Sequence, residues 1–135
     1  MNVYETLRVG VLGKKPCRIF LRDEPERKVC PYLIGKSSKG ENYILYYQYG
    51  GYSSSGLKDG GSSGNWRCSR VSDIARVETV DELWRQPIQK PKTRGNYVAV
   101  VDAEVEGYYE VGLVKKLIQN YRAAPATLNR TRSLR

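Results

Sequence analysis

The spacing of hydrophobic positions changes several times along this chain, and each change marks an element. Val3, Leu7 and Val11 recur at helical spacing and predict a short helix over residues 3–12, weakened by Gly10, with Gly13 as its C-cap. Residues 16–22 alternate instead, with Cys17, Ile19 and Leu21 on one face and Arg18, Phe20 and Arg22 on the other, the mark of a strand. Asp23–Glu26 with Pro25 reads as a turn, and residues 27–36 as a second strand in which Pro31 implies a bulge or an edge. A tight loop at Ser37–Gly40 leads into residues 41–49, ENYILYYQY, the strongest strand pattern present.

Residues 50–65 are almost all Gly, Ser and polar, and read as a long mobile loop. Two strands follow, Trp66–Val71 and Ile74–Thr79, broken around Ser72-Asp73. Residues 80–85 read as a helical turn, 86–96 as an extended basic crossing segment, and 97–105 as another strand. Leu113, Val114, Leu117, Ile118 and Tyr121 return to helical spacing, so 110–121 is expected to be an amphipathic helix. The last stretch is polar and basic and is expected to be disordered. The pattern therefore predicts a mainly β protein: a small barrel of about five strands with a short N-terminal helix and a C-terminal amphipathic helix. Ile19, Leu33, Ile44, Val71 and Ile74 are its expected core.

Composition adds a partner class. The chain has 135 residues, the size of one domain, with 23 Lys and Arg against 14 Asp and Glu, a net charge of +9. That balance favours an acidic partner, with nucleic acid first among them, although a basic tail serving solubility gives the same number. The three Cys are widely spaced and there is no His, so neither a disulfide framework nor a zinc ribbon is indicated. The N-terminal residues lack the basic and apolar blocks of a signal peptide, and no apolar run reaches the roughly 20 residues of a membrane span. A cytoplasmic, non-membrane setting is the expectation.

Three pieces of the segment 16–85 resemble the WYL domain, in particular its small stand-alone bacterial versions. A strand enters a Val-x-Pro step at Val29-Cys30-Pro31, followed by Tyr32. The family's Trp-Tyr-Leu run is similar to Asn42-Tyr43-Ile44 in the strand KGENYILYYQYG. A Ser/Gly loop then enters NWRCSRVSDIARVE, which looks like the family's Trp-Arg-x-Phe-Arg-Val-Asp-Lys-Ile pattern, with Arg67 and Arg70 kept and Asp73 where a basic residue is frequent. The resemblance implies an SH3/Sm-like β-barrel over 1–85. Residues 86–121 would supply a crossing segment, a strand and a helix packed on or beside it, and 122–135 a basic tail. It also implies a regulatory, ligand-sensing module for nucleotide-like or other anionic ligands, or for nucleic acid.

Catalytic chemistry is poorly supplied. Without His, the commonest general base and triad partner are missing, no phosphate-cradling loop is present, and most carboxylates neighbour Lys or Arg or sit in turns. No catalytic residue, metal or cofactor is expected. Binding candidates are clearer. Eleven Tyr accompany one Phe, and Tyr43, Tyr46, Tyr47 and Tyr49 crowd one strand. If one face of that strand is core, the other shows rings to solvent, and exposed rings beside Arg make a stacking platform for unpaired bases. The competing reading packs these tyrosines into the barrel with only their hydroxyls at water. Arg67 and Arg70 lie three apart on a strand and so face opposite ways, while Trp66 reads as a barrel plug. Lys115, Lys116, Arg122, Arg130 and Arg132 form the basic C-terminal set, with no acidic residue from 115 to 135. Nucleic acid, an anionic small ligand, a partner protein or a second copy of the chain all remain open as partners.

Overall fold

A computed structural model of the chain describes residues 1–53, 56–57, 65–91 and 97–108. The expected helix over 110–121, the basic tail and most of the loop 50–65 lie outside the described residues. Helix α1 covers Val3–Gly13 and starts on a capping box, in which Asn2 accepts from the Glu5 amide and Glu5 reaches back to Asn2. Its end differs from expectation. Lys14, not Gly13, takes the left-handed conformation at φ 52°, and the Lys15 amide closes on the Gly10 carbonyl. Gly10 is in the helix for clearance: a Cβ there would meet the Pro31 ring at 2.9 Å. Leu7 and Val11 carry the helix into the core.

Six strands follow: β1 Cys17–Leu21, β2 Arg27–Lys36, β3 Asn42–Gly51, β4 Trp66–Arg70, β5 Ile74–Thr79 and β6 Val100–Glu104. They form one antiparallel sheet in the order β4-β3-β2-β1-β5, with β6 added to β2. β3 pairs with β2 along its whole length, so β1 and β6 share the other edge, β1 opposite Arg27–Val29 and β6 opposite Leu33–Lys36. Pro31 sits at the changeover, and the register against β3 shifts just after it. The bulge expected at Pro31 is therefore present, in a central strand.

The expected closed barrel is not formed: among the described residues no pairing joins β4 to β5, the two ends of the five-strand path. Yet only a 3-10 turn, Val71–Asp73, separates them. Flat, five strands would place these edges about 19 Å apart. The link from Arg70 to Ile74 spans at most about 14 Å even when extended. The sheet must therefore roll strongly, and the chain bridges the gap covalently without a sixth ladder.

The five expected core residues are all buried, together with Leu7, Val29, Cys30, Tyr32, Ile34, Leu45 and others in one cluster. The helical turn expected at 80–85 is absent. That segment is irregular because tertiary contacts hold it. Tyr49 donates to Glu82 (2.7 Å), Arg85 lies over the Tyr49 ring, Tyr32 donates to the Arg85 carbonyl, and Trp84 packs on Tyr32. One turn of isolated helix cannot compete with these contacts.

Candidate ligand-binding surface

β3 does not have a solvated face. Residues 44–48 are all buried, so side chains on both faces of the strand are covered there. This corrects the expectation that Tyr46 and Tyr47 offer rings to a ligand. Tyr46 is fully enclosed. Its hydroxyl accepts from Arg27 Nη1 at 3.1 Å and pairs with Ser69 Oγ at 2.9 Å, tying β2, β3 and β4 together. Tyr47 packs on Trp66, which also meets Tyr32 at 4.7 Å and Tyr108 at 5.9 Å. Trp66 is thus part of a packed aromatic cluster, half-buried, with its indole N–H donating to the Gln89 carbonyl.

Arg67 and Arg70 stay apart, as their three-residue spacing implied. Arg67 donates to the Gly56 carbonyl. Arg70 is held by Glu41 at 3.3 Å and Asp73 at 3.5 Å, and those carboxylates push its pKa further up. Lys115, Lys116, Arg122, Arg130 and Arg132 lie outside the described residues.

Of the tyrosines singled out on β3, Tyr43 and Tyr49 stay partly exposed, and Tyr43 has gained a partner that strand alternation could not reveal. Tyr97 stacks on it with centroids 5.1 Å apart and planes 16° from parallel. Gly35 makes this contact possible. Directly opposite Tyr43 on β2, it is crossed so closely by the chain entering β6 that a Cβ would lie 2.1 Å from the Val100 carbonyl oxygen and 2.8 Å from Val98. The two rings line an open cleft of about 370 Å³ with Ser37, Ser38, Lys39, Glu41, Val98 and Ala99. Tyr97 is 56% exposed. The Lys39 ammonium makes no ion pair among the described residues, whereas Glu41 is engaged by Arg70. Arg70 stands across the ladder from Tyr43, so cation, carboxylate and ring share one end of the sheet.

Several titratable groups elsewhere are buried or paired. Burial pushes the Cys17 thiol up to about 12, and the Cys30 and Cys68 thiols to about 11. Asp102 is held below the usual carboxylate range by the Tyr4 hydroxyl and by Arg8. Glu78 is lowered by its hydrogen bond from Arg18, and Glu82 by its bond from Tyr49. Among the described residues, no three Cys, Asp or Glu side chains come together as a metal site, and no helix is long and apolar enough to cross a membrane. Comparison of the chain with protein-family models, with curated proteins and with solved structures finds no match.

Proposed function

We propose that this chain is a non-enzymatic, WYL-like regulatory module whose SH3/Sm-like strand arrangement stays open, acting in the cytoplasm on nucleic acid or a nucleotide-like anionic ligand. The exposed Tyr43–Tyr97 stack with Lys39 at its rim carries the reading, because it offers a planar hydrophobic surface and a cation to one ligand. The net charge of +9 works in the same direction by drawing polyanions to the surface. A non-enzymatic role is favoured by the thiols, which burial keeps protonated, and by Glu78, Glu82 and Asp102, which hydrogen bonds and cations hold ionised. Neither set is tuned for nucleophilic or acid–base work.

A second reading, a protein-interaction module, draws on Leu83 and Ile88, which stand 83% and 93% exposed on the 80–91 segment. A salt series with labelled single-stranded and duplex oligonucleotides separates the two. The nucleic-acid reading expects log affinity to fall linearly with log salt, by about 0.7 to 0.9 per phosphate contact. A small-ligand sensor expects a rise in melting temperature with a nucleoside phosphate instead. If neither effect occurs at low salt, the protein-interaction reading replaces both.

A further inference from the structure

We infer that the Tyr43–Tyr97 cleft takes an unpaired base of a single strand, stacked on the Tyr97 ring, with the adjoining phosphate met by Lys39. The inference rests on the nucleic-acid reading above and narrows it to one surface and one strand state.

Three observations lead there. First, the two rings are already nearly parallel, at 16°, so a third planar ring placed on the open side of Tyr97 extends an existing stack. A tyrosine lying free on a surface would lose side-chain freedom when it ordered around a base. Tyr97 has lost much of that freedom beforehand, because Tyr43 backs it and the chain following it is pinned to β2 by the Ala99 amide on the Lys36 carbonyl at 2.7 Å. Second, ring faces are what the cleft offers, and in a duplex the base faces are hidden in the stack. Only an unpaired base presents a face to Tyr97, and stacking of this kind tolerates every base. Third, the charges are placed for an anion at the rim. Among the described residues Glu41 is the one carboxylate lining the cleft, and Arg70 pairs with it at 3.3 Å, while Lys39 lines the same cleft. A cleft of about 370 Å³ lies at the lower end of the range of small-ligand pockets, room for one base and its sugar but not for a paired step.

Gly35 is the positioning residue. The Cβ of an alanine there would collide with the Val100 backbone, and that atom cannot swing aside as a side-chain tip would. Gly35→Ala must therefore push the β6 entrance off β2 and carry Tyr97 away from Tyr43.

The test is anisotropy with a short labelled oligothymidylate, an oligouridylate and a duplex of equal length, at several salt concentrations. The two single strands separate DNA from RNA as the source of the base. The wild-type chain should bind the single strands in preference to the duplex. Tyr97→Ala should weaken single-strand binding roughly 5- to 150-fold without changing the salt slope, and Tyr97→Phe should restore it. Lys39→Ala should instead reduce the slope by about 0.7. Tyr97 is exposed, so its variants should melt as the wild type does, and that melt is the control for folding. If the wild type binds oligonucleotides but Tyr97→Ala binds within twofold of it, the cleft is not the site and the broader nucleic-acid reading stands. Preference for the duplex likewise overturns the inference alone. If the wild type binds no oligonucleotide at low salt, both fall.

Discussion

Tyr46 illustrates how much one hydroxyl can hold. Its ring is fully buried, and its oxygen bridges Arg27 on β2 and Ser69 on β4. Arg27 is itself almost enclosed, with Glu24 at 3.0 Å on its other nitrogen. Tyr46→Phe keeps the ring and removes the bridge, leaving an Arg nitrogen and a Ser hydroxyl short of a partner in a poorly solvated place. The expected cost is about 1–3 kcal/mol, read from the urea midpoint. An unchanged midpoint would mean that water replaces the hydroxyl and that the network is ornamental to stability. The same residue shows the limit of strand alternation. The pattern places Tyr46 correctly on the face opposite Tyr47, but it cannot say that both faces are covered.

At the scale of elements, α1 is held to the sheet by packing and by one polar tether. Leu7 and Val11 supply the apolar contact, while Tyr4 and Arg8 both engage Asp102 on β6. The tether has a pH dependence with a definite sign. The folded pKa of Asp102 is depressed, first by the Tyr4 hydrogen bond and then by the Arg8 charge, so its contribution is present above the ordinary carboxylate value. It is lost as pH falls below about 4, through the folded value. Asp102→Asn should lower stability at neutral pH and flatten the acid limb of a stability–pH curve. An acid limb identical to that of the wild type would place the acid sensitivity in other carboxylates, such as Glu78 or Glu82. The helix itself was legible from Val3, Leu7 and Val11, and the Asn2-x-x-Glu5 box was a start signal within reach of inspection. The 80–85 segment was not legible, since its conformation is decided by Tyr49, Tyr32 and Cys30, which lie far away in the chain.

For the whole molecule, the three thiols report on global opening. Cys17 and Cys30 are buried and Cys68 half-buried, and burial raises all three pKa values to about 11 or 12. Little thiolate exists at neutral pH, and what exists is shielded. A disulfide reagent should therefore label the native chain slowly and the urea-unfolded chain rapidly at all three positions. Fast labelling of one thiol in the native state would reveal local opening of the element that carries it. The rolled sheet explains why the two central positions are protected: Cys17 pairs with Val29 on one side and Thr79 on the other, and Cys30 sits inside β2 with β3 alongside.

Local chemistry in the sequence determined the N-terminal helix and the strands from β1 to β6, though not the 80–85 segment, and that Ile19, Leu33, Ile44, Val71 and Ile74 would be inside. Those properties follow from side-chain period and backbone preference over a few neighbouring residues. Tertiary structure alone decided that the sheet rolls without closing a sixth ladder, because that depends on how a three-residue 3-10 turn spans two edges. It also decided that Tyr43 stacks on Tyr97. Tyr43 and Tyr97 are far apart in sequence, and they meet because β6 pairs with β2 across Gly35. Periodicity says which way a side chain points; only the assembled sheet says what, if anything, covers it.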